Sequence, residues 1–212
     1  MTIHTILFDL DGTLIDTNEL IIASFTHTLK QYTDKEYNRE EILDFIGPPL
    51  IDSFRSIDSD RVDQMVQTYR EHNLHHHDSY VVAYPRVVET VNKLKQLGYR
   101  LGIVTTKMNA TAELGLKVTG MEDMFEILIG LDDVTHAKPH PEPIMKALKE
   151  LDATAPTTLM VGDNYHDIEA GKNAGTKTAG VSWSIKGKET LEAYQPDYML
   201  EEMSDLLKIL GA

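Results

Sequence analysis

Four short stretches of this 212-residue chain hold residues whose types and spacing could do chemistry. The first is Phe8-Asp9-Leu10-Asp11-Gly12-Thr13-Leu14. Its two carboxylates stand two residues apart at the end of an apolar run, Ile6-Leu7-Phe8, so strand alternation turns both to one side. Carboxylates that close repel each other unless a cation sits between them or one takes a proton. Mg²⁺ resolves the conflict, because it is a hard cation that takes oxygen ligands. An Asp-x-Asp can also simply cap a turn, so the other stretches decide. They are Thr105-Thr106-Lys107, Lys138-Pro139, and Gly162-Asp163-Asn164 followed by Asp167. Each alone has an ordinary reading: a strand-end threonine, a solvated loop lysine, carboxylates favoured by a helix dipole. Asp163 and Asp167 are four apart, hence close to each other across a strand-to-helix junction.

The elements around these stretches place them together. Residues 4–9 read as a buried strand with a turn at Gly12. From 18 to about 80 no strong strand pattern occurs. Leu20, Ile21, Ala23, Phe25 and Leu29 have helical spacing with Asn18 as N-cap. A short helix is expected over 40–45, stopped by Gly47-Pro48-Pro49. Another is expected over 60–74, with Val62, Met65, Val66 and Tyr69 on one face. From Tyr84 onward helices and strands alternate: helix 85–97, strand 100–105, helix 109–118, strand 127–130, a helix ending near 151, strand 158–161, helix 165–173, strand 178–182, strand 197–200 and helix 203–210. Such alternation predicts an α/β fold, a Rossmann-like, mostly parallel sheet covered on both faces. A small all-helical cap, residues 16–80, is inserted after the first strand of a core formed by 1–15 and 81–212. Ligands of such sheets bind at the carboxyl ends of the strands. Asp9/Asp11, Thr105/Thr106 and Asp163 all lie at strand ends, which predicts one composite site.

Composition narrows the partners. The formal charge of −14 disfavours nucleic acid and anionic membranes. An anionic substrate must then be met locally, by a metal and a few cations. The chain has no cysteine, which excludes disulfides and thiol nucleophiles and fits a reducing compartment. With no basic, apolar leader and no run of transmembrane length, a cytoplasmic location is expected. A monomer is the expected state.

Asp9-x-Asp11-Gly12-Thr13, Thr105, Lys138-Pro139 and Gly162-Asp163-x-x-x-Asp167, in that order, resemble the four motifs of the haloacid-dehalogenase superfamily of phosphohydrolases. The resemblance covers the whole chain, and the helical insertion resembles that superfamily's small cap. It implies Mg²⁺-dependent phosphoryl transfer, which is mostly positioning and charge stabilisation. It makes Asp9 the nucleophile and Asp11 the general acid and base. It makes Asp9, the backbone carbonyl of Asp11 and the Asp163 side chain the metal ligands. Thr105, with Thr106 and Lys107 beside it, would bind phosphoryl oxygens. Lys138 would neutralise charge, and Asp167 would orient Lys138 or a metal-bound water, with Gly12 and Asn164 supporting.

The second aspartate, Asp11, disfavours dehalogenation, which by resemblance lacks it. Sugar-phosphate mutases of the superfamily need a cap arginine shortly after the cap glycine. Here the nearest is Arg55. Longer stretches, including Phe45-Ile46-Gly47-Pro48-Pro49 and Gly102 to Lys107, resemble a pyrophosphate-hydrolysing branch, with phosphoglycolate phosphatases as the alternative. Lys107 is the candidate cation for a second phosphate, or else a plain exposed lysine. A non-catalytic binding protein is disfavoured by the intact Asp9, Asp11, Lys138 and Asp163. His75-His76-His77 lacks an acid at helical spacing and is expected to be a solvated edge of the insertion. His136, His140 and His166 sit near the site and could touch substrate, although loop histidines are usually just solvated, and Trp183 is expected as a packing residue. Hinges are expected near 16–18 and 79–85.

Overall fold

Continuous buried runs along the central strands require cover on both faces of the sheet. The computed structural model describes residues 2–211. Its main sheet contains β1 (Thr5–Phe8), β4 (Arg100–Val104), β5 (Ile127–Ile129), β6 (Thr158–Gly162), β7 (Lys177–Val181) and β8 (Tyr198–Leu200). Their spatial order is β5-β4-β1-β6-β7-β8, and every pairing is parallel. Ile6 and Phe8 of β1 point to one face, where they meet Val91 and Leu94 of α5 (Val87–Gln96) and Leu116 of α6 (Asn109–Val118). Leu206 of α10 (Asp205–Leu210) closes that layer. Leu7 points to the other face, against Ile144 and Ala147 of α7 (Glu142–Glu150) and Ala170 of α8 (Tyr165–Ala174). Burying each of the Ile, Leu, Val and Phe side chains among these is worth about 1.5–3 kcal/mol.

The insertion builds its own apolar centre. It comprises α1 (Asn18–Tyr32), α2 (Arg39–Leu43), α3 (Leu50–Arg55) and α4 (Val62–Tyr80). Phe25 of α1 holds Phe45, Phe54 and Tyr69 with ring centroids 5.7, 5.3 and 5.0 Å away. Ile22, Leu29, Ile42, Met65 and Val66 complete the cluster, and Ile185, from the loop between β7 and α9 (Lys188–Glu192), packs against it. The two crossings between insertion and sheet pair as a short antiparallel ribbon, β2 (Ile15–Asp16) with β3 (Val82–Ala83).

Several elements differ from the sequence expectation. Asn18 is the first helical residue of α1 rather than its cap, and Thr17 precedes it. The Asp16 carboxylate accepts the Asn18 N–H at 3.1 Å, so the cap function shifts back along the chain. Helix α4 runs on to Tyr80 because Asn73 and His77 continue the buried stripe of Met65 and Tyr69 at four-residue spacing. His77 is therefore fully buried, not a solvated edge. Its polar character hid that stripe. Helix α3 follows Pro49 directly, a helix that the sequence pattern does not mark. No helix among the described residues is long and apolar enough to cross a membrane.

Candidate active site

Strand register brings the scattered motifs together. Phe8 pairs with Ile103 on one side and Val161 on the other. Asp9, Thr105 and Asp163 therefore emerge side by side just beyond the ends of three adjacent parallel strands. The next strand ladder bond, Asp9 N–H to the Val161 carbonyl at 2.9 Å, fixes the Asp9 backbone. Gly12, at φ +79°, turns the chain away, and a Cβ there would stand 2.3 Å from the Asp163 Oδ2. Only glycine admits both that conformation and that approach.

Lys138 is the centre of the charge network. Its ammonium donates to Asp9 Oδ1 at 2.9 Å, to the Val104 carbonyl at 2.7 Å and to Asp167 Oδ1 at 2.6 Å. All three of its protons are thus used, in a side chain only 3% exposed. Burial pulls this ammonium towards neutrality, but Asp167 and Asp9 outweigh it and hold Lys138 above its ordinary value. Asp167 is itself fixed, since its Oδ2 accepts the Asn164 N–H at 3.0 Å in the capping box that starts α8.

Asp11 faces the same cavity with different partners. Its Oδ1 accepts the Thr17 hydroxyl at 2.7 Å and the Lys107 ammonium at 2.8 Å. Thr105 is buried, and its Oγ1 accepts the Lys107 N–H at 3.1 Å, which shapes the turn that returns Lys107 to Asp11. Lys107 is accordingly no plain exposed lysine, its side chain being 13% exposed. Thr13 Oγ1 donates to Asp163 Oδ1 at a long 3.4 Å.

The donor set fits Mg²⁺. Carboxylate oxygens of Asp9, Asp163 and Asp167 lie within 4.8 Å of one another. Of these and Asp11, three carboxylates share two ammonium groups, Lys107 with Asp11 and Lys138 with Asp9 and Asp167, while among the described residues no ion pair reaches Asp163. Burial pushes Asp9 up to about 7, with Lys138 opposing and Asp167 and Asp11 adding to the rise. Burial, then Asp9 and Asp167, raise Asp163 well above the carboxylate range. Oxygens that cannot all stay ionised together are what a divalent cation relieves.

Above these groups a cavity of about 430 Å³ opens toward the insertion. Its upper wall carries Ile21 and Phe25 of α1, Phe45 and Leu50 around the Gly47 turn, and Tyr69, Arg70, Asn73 and Leu74 of α4. Gly47, at φ +115°, lies so close to Asn164 that a Cβ would stand 2.5 Å from its Nδ2. Here the insertion touches the residue next to Asp163. Arg55, the nearest match to a mutase arginine, is not on this wall and pairs with Asp52 at 2.7 Å, with its side chain 59% exposed.

Sequence reasoning missed Tyr69 and Asn73 as lining residues. Asn73 interrupts the apolar stripe of α4, and that interruption was the available signal. His166, placed near the site by sequence, lines the cavity but is buried rather than solvated. His166 Nδ1 lies 2.7 Å from Asn164 Oδ1, and burial pushes the ring down to about 4. His136 and His140 are exposed, as expected. Trp183 packs beside Tyr84, with ring centroids 5.9 Å apart.

This geometry has close relatives. A family model described as haloacid dehalogenase-like hydrolase matches residues 6–181. The chain belongs to that family. This hydrolase is 61% identical over 211 residues to Pyrophosphatase PpaX of Anoxybacillus flavithermus, covering 100% of this chain and 98% of the relative. Among solved structures, a haloacid dehalogenase-like family hydrolase from Streptococcus pneumoniae is 28% identical, with a TM-score of 0.87 and 98% of each chain covered. A predicted phosphoglycolate phosphatase from Haemophilus somnus, 24% identical, shares the fold at a TM-score of 0.85 over 99% of this chain and 98% of that one.

Proposed function

We propose that this hydrolase cleaves inorganic pyrophosphate into two phosphates through a phosphorylated Asp9. The phosphohydrolase chemistry is supported by the convergence of Asp9, Lys138 and Asp163 at adjacent strand ends. The choice of pyrophosphate is carried by near-full-length similarity to relatives named Pyrophosphatase PpaX.

Asp9 supplies the carboxylate oxygen that bonds to phosphorus as the bridging P–O bond breaks. Lys138 holds Asp9 in place and meets charge on the transferring group. Thr105 and Thr106 donate to phosphoryl oxygens. Asp11 gives its proton to the departing phosphate, then takes one from the water that attacks phosphorus, which frees Asp9. Asp9, the Asp11 carbonyl and Asp163 would hold Mg²⁺, which when bound supplies positive charge to the phosphoryl oxygens. Lys107 leaves Asp11 for the distal phosphate of the substrate. A bacterial cytoplasmic setting accords with such a substrate.

Residues 16–80 act as a cap that closes on the core about the β2–β3 ribbon, excluding water. Small-angle scattering that shows no compaction with a phosphate transition-state mimic would count against closure.

A second reading, a small organic phosphomonoester, is favoured by one observation: the upper wall of the cavity is mostly apolar. A substrate panel with purified protein and Mg²⁺ separates the two. A kcat/KM for pyrophosphate several orders of magnitude above phosphoglycolate and sugar phosphates supports the first. A profile led by a phosphomonoester removes it.

A further inference from the structure

The loop that delivers Lys138 carries a histidine on either side of it. His136, Lys138 and His140 lie two residues apart in a turn that the His140 N–H closes onto the Ala137 carbonyl at 3.0 Å. Lys138 turns inward and is buried, whereas His136 and His140 face solvent. Both histidines turn towards Glu142, the first residue of α7. His136 Nδ1 lies 2.8 Å from Glu142 Oε2, and His140 Nδ1 lies 4.0 Å from the same oxygen. The two rings are 4.6 Å apart between centroids. Neighbouring donors around a tetrahedral zinc, with bonds of about 2.0–2.1 Å, stand about 3.3 Å apart. The observed separations bracket that figure, so small side-chain rotations would complete the set.

We propose that His136, His140 and Glu142 form a binding site for a divalent transition-metal ion of the zinc and cobalt class. Two clusters of metal-ligating side chains converge in this way among the described residues, and their chemistry differs. Asp9, Asp163 and Asp167 offer only carboxylate oxygens, which suit a hard cation. The loop cluster offers two imidazoles and one carboxylate, which suit a borderline ion.

A bound ion would replace the hydrogen bonds these donors now make, and the His136 ring would give up the Nδ1 proton it holds towards the Glu142 carboxylate 2.8 Å away. The Glu142 N–H donates to His140 Nδ1 at 3.2 Å, so that nitrogen is unprotonated, and its lone pair, now held by this long bond, is the one a metal would take. The Thr135 N–H, then the His136 ring, hold the Glu142 carboxyl below its ordinary range. Solvent exposure leaves the remaining coordination position to water. The histidines of the insertion do not match this. His27, His72 and His76 lie ring against ring, but no carboxylate joins them. A bound ion would tie both flanks of Lys138 to α7, restraining the loop that carries this cation.

The test is a Co²⁺ titration of the full chain at saturating Mg²⁺, followed by visible absorption and equilibrium dialysis. One Co²⁺ per chain with the intense bands of a four- or five-coordinate, imidazole-ligated ion is expected. His136→Ala and His140→Ala should each lower the affinity at least about tenfold and abolish the bands. Asp163→Asn and His76→Ala should leave both unchanged. Absence of the bands overturns the assignment. So does their survival in the two loop variants, or their loss in Asp163→Asn or His76→Ala, which would move the ion elsewhere.

Discussion

The floor and the roof of the cavity are built on opposite physical principles. The floor is a lattice of short charge-assisted hydrogen bonds at the ends of adjacent strands, with Lys138 bonded to three acceptors. The roof is a set of aromatic and aliphatic side chains on helices joined to the core through a two-strand ribbon. A floor of this kind tolerates almost no substitution, because removing one partner leaves a buried charge uncompensated. An apolar roof can repack, since volume-conserving changes cost little. Reaction type and substrate choice are thus assigned to different layers of the molecule.

The sharpest way to break that comparison is at the floor. Asp9→Asn should lower turnover by about 10⁴-fold or more, since it removes the attacking oxygen's charge. Circular dichroism should be unchanged, as the amide keeps the shape. Retention of near wild-type turnover would sink the covalent route and, with it, the assignment of chemistry to the floor.

His166 tests whether the floor depends on neutral groups as well as charges. Burial depresses its pKa from 6.5 to about 4. Between those values the unfolded chain binds a proton that the folded one refuses. Its contribution is therefore fully present above pH 6.5 and is lost as pH falls towards 4. The whole shift corresponds to roughly 3 kcal/mol. His166→Gln should flatten the fall in denaturation midpoint across that window. Comparing the variant with the parent cancels the carboxylates, whose raised Asp9 acts with the opposite sign. Equal slopes for the two proteins would show that the ring titrates freely.

Lys107 lies where the two layers meet. Lys107→Met should raise KM for pyrophosphate about 10- to 100-fold, the loss of one charge-assisted contact of about 1.5–3 kcal/mol. A phosphomonoester without a second phosphate should lose much less. Equal losses for both substrates would make Lys107 a partner of Asp11 alone.

How much was legible follows the same division. The floor residues were legible jointly: each stretch alone has an ordinary reading, but their convergence on successive strand ends does not. The sheet was legible too, since Ile6-Leu7-Phe8 and Leu101 to Val104 are fully buried runs between helix signals. The roof was not. Phe25, Phe45 and Tyr69 read as any helical core would, and only their contacts reveal which edge of the cluster faces the cavity. Asn73 was passed over and His77 misjudged because a polar residue in a buried stripe weakens the periodic signal that defines the stripe. The His77 Nδ1 has Asp78 at 3.1 Å, but its Nε2 finds no partner, so nothing in its local sequence marks it as buried.

The smallest expected effect bears on the roof. The Tyr69 hydroxyl is raised above its ordinary range, first by burial and then by the negative charge of Asp11, with Asn73 opposing. A roof residue thus feels the floor across the cavity. Tyr69→Phe keeps the ring against Phe25 and Phe54 and deletes only that hydroxyl. A neutral hydrogen bond is worth about 0.5–1.5 kcal/mol, so kcat/KM should fall only about 3- to 10-fold. If the hydroxyl serves substrate choice, the ratio between pyrophosphate and phosphoglycolate should change while the thermal midpoint stays put. If the ratio is unchanged and kcat alone drops, the hydroxyl acts on Asp11 and the chemistry reaches into the roof. The division between layers would then be drawn at the apolar side chains of the insertion rather than at its boundary with the core.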